Sequence, residues 1–169
     1  MASRRETQTV IRALTAADAK TIASWRYPRA WSVYDIRDVS KLTPDRGYWA
    51  VIHEPGEYLV GFLCFGAEAR VPGLDKEQGV LDVGVGFDPS LIGRGAGAVL
   101  VSPVLDWLSE HSTASTLRAV VQSWNRRSIR VCEHLGFVRV GDHTAHQGGR
   151  NVDYTVLRLV IPGPSDSAS

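Results

Sequence analysis

The sequence predicts an α/β fold: one domain with a mixed central sheet of about six to seven strands flanked by about four helices. Three observations lead there. The chain has 169 residues, about one domain on the usual scale of roughly 100 to 200 residues. Apolar runs of strand length alternate with amphipathic stretches of helix length along it. Its middle reads strand, helix, strand, helix, an order that demands at least one parallel strand pair joined by a right-handed crossover. The domain is expected over residues 1–161, and the Pro/Ser/Gly-rich segment 162–169 as a loose tail.

Each element has its own signal. Gln8 to Leu14 reads as a strand, and Thr15-Ala-Ala-Asp18 has capping-box spacing that opens a helix to about Ser24. Ser32 and Asp35 repeat that spacing and predict a second helix to about Val39. Tyr48 to His53 and Tyr58 to Ala69 flank Glu54-Pro55-Gly56-Glu57, where Pro and Gly suit a hairpin turn. Val80 to Phe87 is a strand, followed by a Gly-rich turn and an apolar helix to about Glu110 in which Pro103 should produce a kink or an early stop. Leu117 to Gln122 reads as strand, Arg126 to Leu135 as helix, and Phe137 to Val140 and Val152 to Ile161 as strands, with a loop around His143 to Arg150.

Composition excludes several classes. Nineteen Lys and Arg against eighteen Asp and Glu leave a charge of +1, too balanced for the basic stripe that nucleic-acid binding needs. No apolar run has the length of a membrane span, and Met1 to Gln8 lacks the apolar stretch of a signal peptide. Cys64 and Cys132 lie far apart without metal-ligand spacing, which reads as two reduced thiols in a cytoplasmic protein. His143 and His146 lack a third and fourth ligand nearby, so no metal is expected.

The chemistry is concentrated between Leu81 and Ala98. On a strand, Leu81, Val83, Val85 and Phe87 point one way and Asp82, Gly84 and Gly86 the other, so one face should be packed and one nearly bare. Glycine costs strand stability, which makes sense where something approaches the backbone closely, here beside the Asp82 carboxylate. The strand feeds Gly93-Arg94-Gly95-Ala96-Gly97 at the start of a helix. Such a loop either gathers backbone N–H groups around an anion such as pyrophosphate or simply makes a tight turn. Its spacing lacks the third glycine position of dinucleotide folds and the Gly-Lys-Ser/Thr of a P-loop.

Ile92-Gly93-Arg94-Gly95-Ala96-Gly97 resembles the acyl-CoA signature Arg/Gln-x-x-Gly-x-Gly/Ala of the GNAT-type N-acetyltransferases, with Ile92 standing where the family prefers Arg or Gln. Downstream, Asn125-Arg-Arg-Ser128 and Glu133-His-Leu-Gly136-Phe137 are similar to the pattern of the ribosomal-protein N-terminal acetyltransferase branch. The resemblance covers residues 8 to 161. It implies acetyl-CoA as cofactor, an amine acceptor, and a parallel strand pair opening onto the cofactor groove. It also implies pyrophosphate on the amides of Arg94, Gly95, Gly97 and Ala98. The pantetheine arm would pair with the backbone of Val85 and Phe87 like an added strand, and Asn125 would hydrogen-bond that arm. Asn125 can equally cap the helix that follows it.

Three residues are candidates for catalysis. Asp82 could take the amine proton or be a solvated strand residue. Ser128 and Cys132, four apart on one helix, could line the thiol end of the cofactor; Cys132 stands where many relatives carry a proton-donating tyrosine, and the competing readings are core filler for Cys132 and a plain first-turn helix position for Ser128. The aromatic segment Trp25 to Tyr34 carries four aromatics in ten residues against 8% for the chain. Trp25 and Trp31 are assigned to the core, Tyr27 and Tyr34 to the acceptor. Such a wall suits a small-molecule amine with an apolar body or a peptide N-terminus, with Arg26 and Arg29 either anchoring a carboxylate or simply solvated. The expected protein is therefore an N-acetyltransferase, monomer or homodimer, with no nucleic-acid, membrane or metal partner. The alternative is an acyl-CoA-binding module of the same fold with little catalysis.

Overall fold

Thr15 opens the first helix of the chain. Its hydroxyl accepts from the Asp18 N–H (3.2 Å) and the Asp18 carboxylate accepts from the Thr15 N–H (2.8 Å), the reciprocal arrangement the spacing predicts. The computed structural model describes residues 8–162, so the readings made on Met1–Thr7 and on the tail from Gly163 lie outside the described residues. Strand β1 (Gln8–Ala13) precedes this helix, α1 (Ala16–Ser24), and sends Arg12 onto Asp18 at 2.6 Å. α1 buries Ala19 and Ile22, and full burial of a side chain such as Ile22 is worth roughly 1.5–3 kcal/mol.

β2 (Tyr48–Glu54) and β3 (Tyr58–Phe65) form the expected antiparallel hairpin, and β1 lies antiparallel on β2. The helix expected from Ser32 to Val39 is not α-helical. Arg29–Tyr34 forms a 3-10 turn that follows Pro28, and Asp35 is extended. The reason is local: the Asp35 carboxylate accepts from the Tyr27 N–H at 2.9 Å instead of serving a capping box. β4 (Val80–Phe87) has the predicted bounds.

The chain divides into two compact units. Of the described residues, one holds those up to Cys64 with Val85–Ala96, the other Phe65–Gly84 with those from Gly97. The second unit contains α2 (Gly97–His111), β5 (Thr116–Gln122), α3 (Arg126–His134), β6 (Val138–Gln147) and β7 (Arg150–Val160). β4 runs parallel to β5 from Val80↔Thr116 to Asp82↔Arg118, and β7 lies antiparallel between β5 and β6. The sheet order β1-β2-β3-β4-β5-β7-β6 gives the seven-stranded mixed sheet expected, with one parallel pair. Val104, Leu108, Leu117 and Leu157 fill the second unit's core.

Two expectations are corrected there. Pro103 does not stop α2 early, since the helix continues through it to His111. The carbonyl that a proline leaves without its helical partner is four residues back, at Val99, a residue that is 73% exposed. The loop expected around His143 to Arg150 is instead strand: β6 and β7 pair out to Gln147↔Arg150. Gly148 and Gly149, both at positive φ (56° and 77°), make the two-residue turn. Among the described residues no helix is long and apolar enough to cross a membrane.

Burial works against the charge on Asp18, yet the hydrogen bonds from Arg12 and Thr15 outweigh it and hold the carboxyl below its ordinary value. A carboxylate with a depressed native pKa stabilises the fold above its unfolded value, about 3.9, and loses that contribution as pH falls through the native one. Asp18→Ala is therefore expected to cost about 1–2 kcal/mol near neutrality. In denaturant titrations the gap from wild type should close as the pH is taken down through the acid range.

Candidate active site

The face of β4 expected to be bare is occupied. A Cβ built on Gly86 would lie 2.3 Å from Phe62 Cε1, and one on Gly61 would lie 2.5 Å from the Gly86 carbonyl oxygen. What approaches the glycine backbone is therefore the ring of Phe62, itself packed on Trp25 (6.5 Å) and Tyr48 (6.1 Å).

Asp82 is 1% exposed. Its Oδ1 accepts from Arg118 Nε at 2.6 Å, and its Oδ2 from Arg70 Nε at 2.8 Å and Arg118 Nη2 at 3.1 Å. Arg118, also buried, donates onward to the Asp75 carbonyl (2.8 Å) and Glu77 (3.2 Å), and Glu77 accepts from Arg158 at 2.6 Å. The Arg158 hydrogen bond holds the Glu77 carboxyl below its ordinary value. Asp82, Arg118 and Arg158 stand opposite one another on β4, β5 and β7, so strand alternation puts them on one face. This corrects the picture of a solvated or substrate-facing Asp82: both oxygens are taken by guanidinium donors. Sequence reasoning missed Arg70, Glu77, Arg118 and Arg158. The available signal was Arg118 itself, a cation inside the apolar run Leu117 to Val121 that needs a buried counter-ion.

The Gly-rich loop separates into two kinds of glycine. Gly93 (φ 84°) and Gly95 (φ 73°) take the left-handed backbone that a side chain resists. Nothing lies within 4 Å of a Cβ placed on Gly95, and Arg94 beside it is exposed. Gly97 begins α2, and a Cβ there would meet Val131 of α3 at 2.9 Å, so its task is helix packing. Gly97 and Ala98 lie in the first turn of α2, where backbone N–H groups have no helical partner. Val85 is 40% exposed on β4.

Asn125 caps α3, its Oδ1 accepting from the Ser128 N–H at 3.1 Å, and is buried. Ser128 and Cys132 lie one turn apart on α3, both half-buried. Burial, with Glu133 nearby, pushes the Cys132 thiol up to about 11. The aromatic segment is more enclosed than expected. Trp25 is buried as expected and Trp31 half-buried; Tyr34, half-buried, packs on Trp31 at 6.0 Å. Tyr27 is 8% exposed and its hydroxyl donates to the Phe87 carbonyl at 2.6 Å, so its ring is not a free wall for a ligand. His143 and His146 sit on β6, His143 Nε2 donating to the Pro72 carbonyl at 2.8 Å and His146 Nδ1 lying 3.1 Å from Asn151 Oδ1. The structure thus joins Tyr27 to Phe87 and Asn125 to Ser128, while Asp82 is joined to arginines.

Residues 8–138 match the family described as Acetyltransferase (GNAT) domain. The chain belongs to this family. Solved GNAT structures share the fold along nearly the whole chain. A GNAT-family acetyltransferase from Bacillus anthracis is 19% identical with a TM-score of 0.72, over 90% of this chain and 95% of that one. YncA from Salmonella typhimurium, solved with its cofactor acetyl-CoA, is 21% identical with a TM-score of 0.64, over 95% and 96%. The ribosomal-protein-S5-alanine acetyltransferase from Vibrio fischeri is 20% identical with a TM-score of 0.60, over 90% and 92%. No curated protein matches the chain. As a GNAT protein the chain is an acyl-CoA-dependent acetyltransferase, with acetyl-CoA as its cosubstrate.

Removing one member of a buried ion pair costs about 3–5 kcal/mol because the other is left uncompensated. Asp82→Asn is expected to lower the melting temperature strongly while the turnover of the molecules that remain folded stays near wild type. Comparing specific activity with the folded fraction, measured by circular dichroism on the same samples, checks both parts.

Proposed function

We propose that the protein transfers the acetyl group of acetyl-CoA to a primary amine, on a small molecule or a peptide N-terminus, by direct attack of the amine on the thioester. The observation that carries this reading is the family match across residues 8–138, which contains the loop Gly93–Gly97. Acetyl-CoA supplies an acetyl group already activated as a thioester. The chain's own contribution is binding and orientation.

The loop suits the pyrophosphate. Positive φ at Gly93 and Gly95 turns the backbone, the space around Gly95 is open, and the N-terminus of α2, fifteen residues long, follows at Gly97 and Ala98. Such a helix end favours an anion, and Arg94 adds a cation where Ile92 does not. The backbone of Val85 and Phe87 is assigned to the pantetheine arm, and Asn125 to a hydrogen bond on it beyond its capping role.

Ser128 and Cys132 are assigned to the thiol end. A thiol held at about 11 is protonated at neutral pH, so Cys132 is not poised to attack, which favours one-step transfer over a covalent enzyme intermediate; as a weaker acid than an ordinary thiol, it is assigned to lining that end of the site. Asp82, bound on both oxygens by arginines, is assigned to the framework of β4, and removal of the amine proton to water. Tyr34 remains the aromatic candidate for the acceptor. We assign the protein to the cytoplasm, as one domain over residues 1–161, monomeric or homodimeric. The Vibrio fischeri relative is an alanine acetyltransferase of ribosomal protein S5, in keeping with a peptide N-terminus among the acceptors to test.

A panel of amines and peptide N-termini, each with acetyl-CoA and a coenzyme A release readout, should show acceptor-dependent turnover above thioester hydrolysis. Absence of turnover with tight acetyl-CoA binding would favour a binding module instead. Gly95→Val has room for its side chain but opposes the positive φ and crowds the amides. It is expected to raise the acetyl-CoA KM about tenfold or more while the acceptor KM stays put.

A further inference from the structure

Tyr27 reads from the sequence as an acceptor contact, and its surroundings point to the other substrate. The Asp88 N–H donates to the Val60 carbonyl of β3 at 2.9 Å. Along an extended strand, the backbone groups of successive residues point to opposite edges. Asp88 and Gly86 therefore face β3, and Phe87 and Val85 face away from it. The Tyr27 hydroxyl, donating to the Phe87 carbonyl at 2.6 Å, engages the edge turned away from β3.

Tyr27 is fixed from both ends. Its peptide N–H donates to Asp35 Oδ1 at 2.9 Å, its ring is buried, and its neighbour Trp25 stacks on Phe62. Burial, with Asp88 and Asp35 nearby, pushes the phenol well above the ordinary tyrosine range, so it donates throughout the neutral range. The Phe87 ring is seated just as closely, 2.5 Å from where a Cβ on Gly61 would lie. The end of β4 is thus gripped on both edges, by Val60 at Asp88 and by Tyr27 at Phe87.

We propose that Tyr27 is a positioning residue for the acyl-CoA cosubstrate: it orients the Phe87 carbonyl on the outward backbone edge of β4, leaving the Phe87 N–H and the N–H and C=O of Val85 as the groups with which the pantetheine arm pairs. The inference rests on the acyl-CoA reading above. A carbonyl oxygen has two lone pairs, and a fixed donor on one sets the direction of the whole peptide group. An added strand is recognised by such a preset row of donors and acceptors, and disorder in that row would be met as an ordering cost on binding.

Tyr27→Phe keeps the ring and removes only the donor. Calorimetric titration of the full chain with acetyl-CoA is expected to show about 5-fold weaker binding, the worth of one hydrogen bond. The acetyl-CoA KM should rise alike and the acceptor KM should hold. A lowered melting temperature with unchanged acetyl-CoA affinity would overturn the proposal, since Tyr27 would then be packing alone. So would a rise confined to the acceptor KM. A wild-type chain that fails to bind acetyl-CoA would remove the acyl-CoA reading itself. Should Tyr27→Phe not fold, Asp35→Ala frees the Tyr27 N–H while retaining the phenol. A smaller rise in the same constant upholds the proposal, and none overturns it.

Discussion

The buried pair between Asp82 and Arg118 is the constraint on which the second unit depends. Burying two charges is expensive, and their attraction offsets the desolvation only when nearly every donor and acceptor is satisfied. Here the carboxylate takes three hydrogen bonds and the guanidinium reaches Asp75 and Glu77 as well. That satisfaction is possible in one register only. A one-residue slip of β4 against β5 would turn Asp82 to the opposite face of the sheet and leave Arg118 without its partner. The pair thus acts on specificity of strand pairing, and it stands at Asp82↔Arg118, where the parallel ladder ends.

Glycine serves three separate ends within a short stretch. At Gly86 the missing side chain admits a neighbouring ring, at Gly97 it admits a neighbouring helix, and at Gly93 and Gly95 it permits a backbone that other residues resist. Only the last of these bears on the turn of the loop proposed above for pyrophosphate. A Gly-rich string is therefore not one signal. The first unit shows the same economy in its aromatics: Trp25, Tyr48 and Phe62 pack together, while Tyr27 spends its hydroxyl on the backbone.

Most of the fold was legible because its signals are local. The capping box at Thr15, the hairpin around Pro55, the bounds of β4 and the N-cap at Asn125 depend on residues a few positions apart. What escaped depends on partners far along the chain. Asp82 reads as a base or a solvated residue because Arg118 lies 36 residues away, and Tyr27 reads as available because its acceptor lies 60 residues away. The failed second capping box has the same origin in miniature, since Asp35 was already engaged by Tyr27. The hairpin of β6 and β7 differs, because its signal is local: Gly148-Gly149 is a two-residue turn, but the polar, histidine-bearing residues before it have the composition of a loop.

Cys64 is buried and Cys132 is half-buried with its thiol pushed up to about 11. Modifying reagents consume thiolate, and at neutral pH a group with that value is ionised in only about one molecule in ten thousand. The native cysteines are accordingly slow targets for maleimides, and the wild-type chain is a nearly blank background for labelling. One cysteine introduced at the solvent-facing turn between Gln147 and Arg150 would carry a dye or spin probe alone, with neither native thiol needing to be replaced.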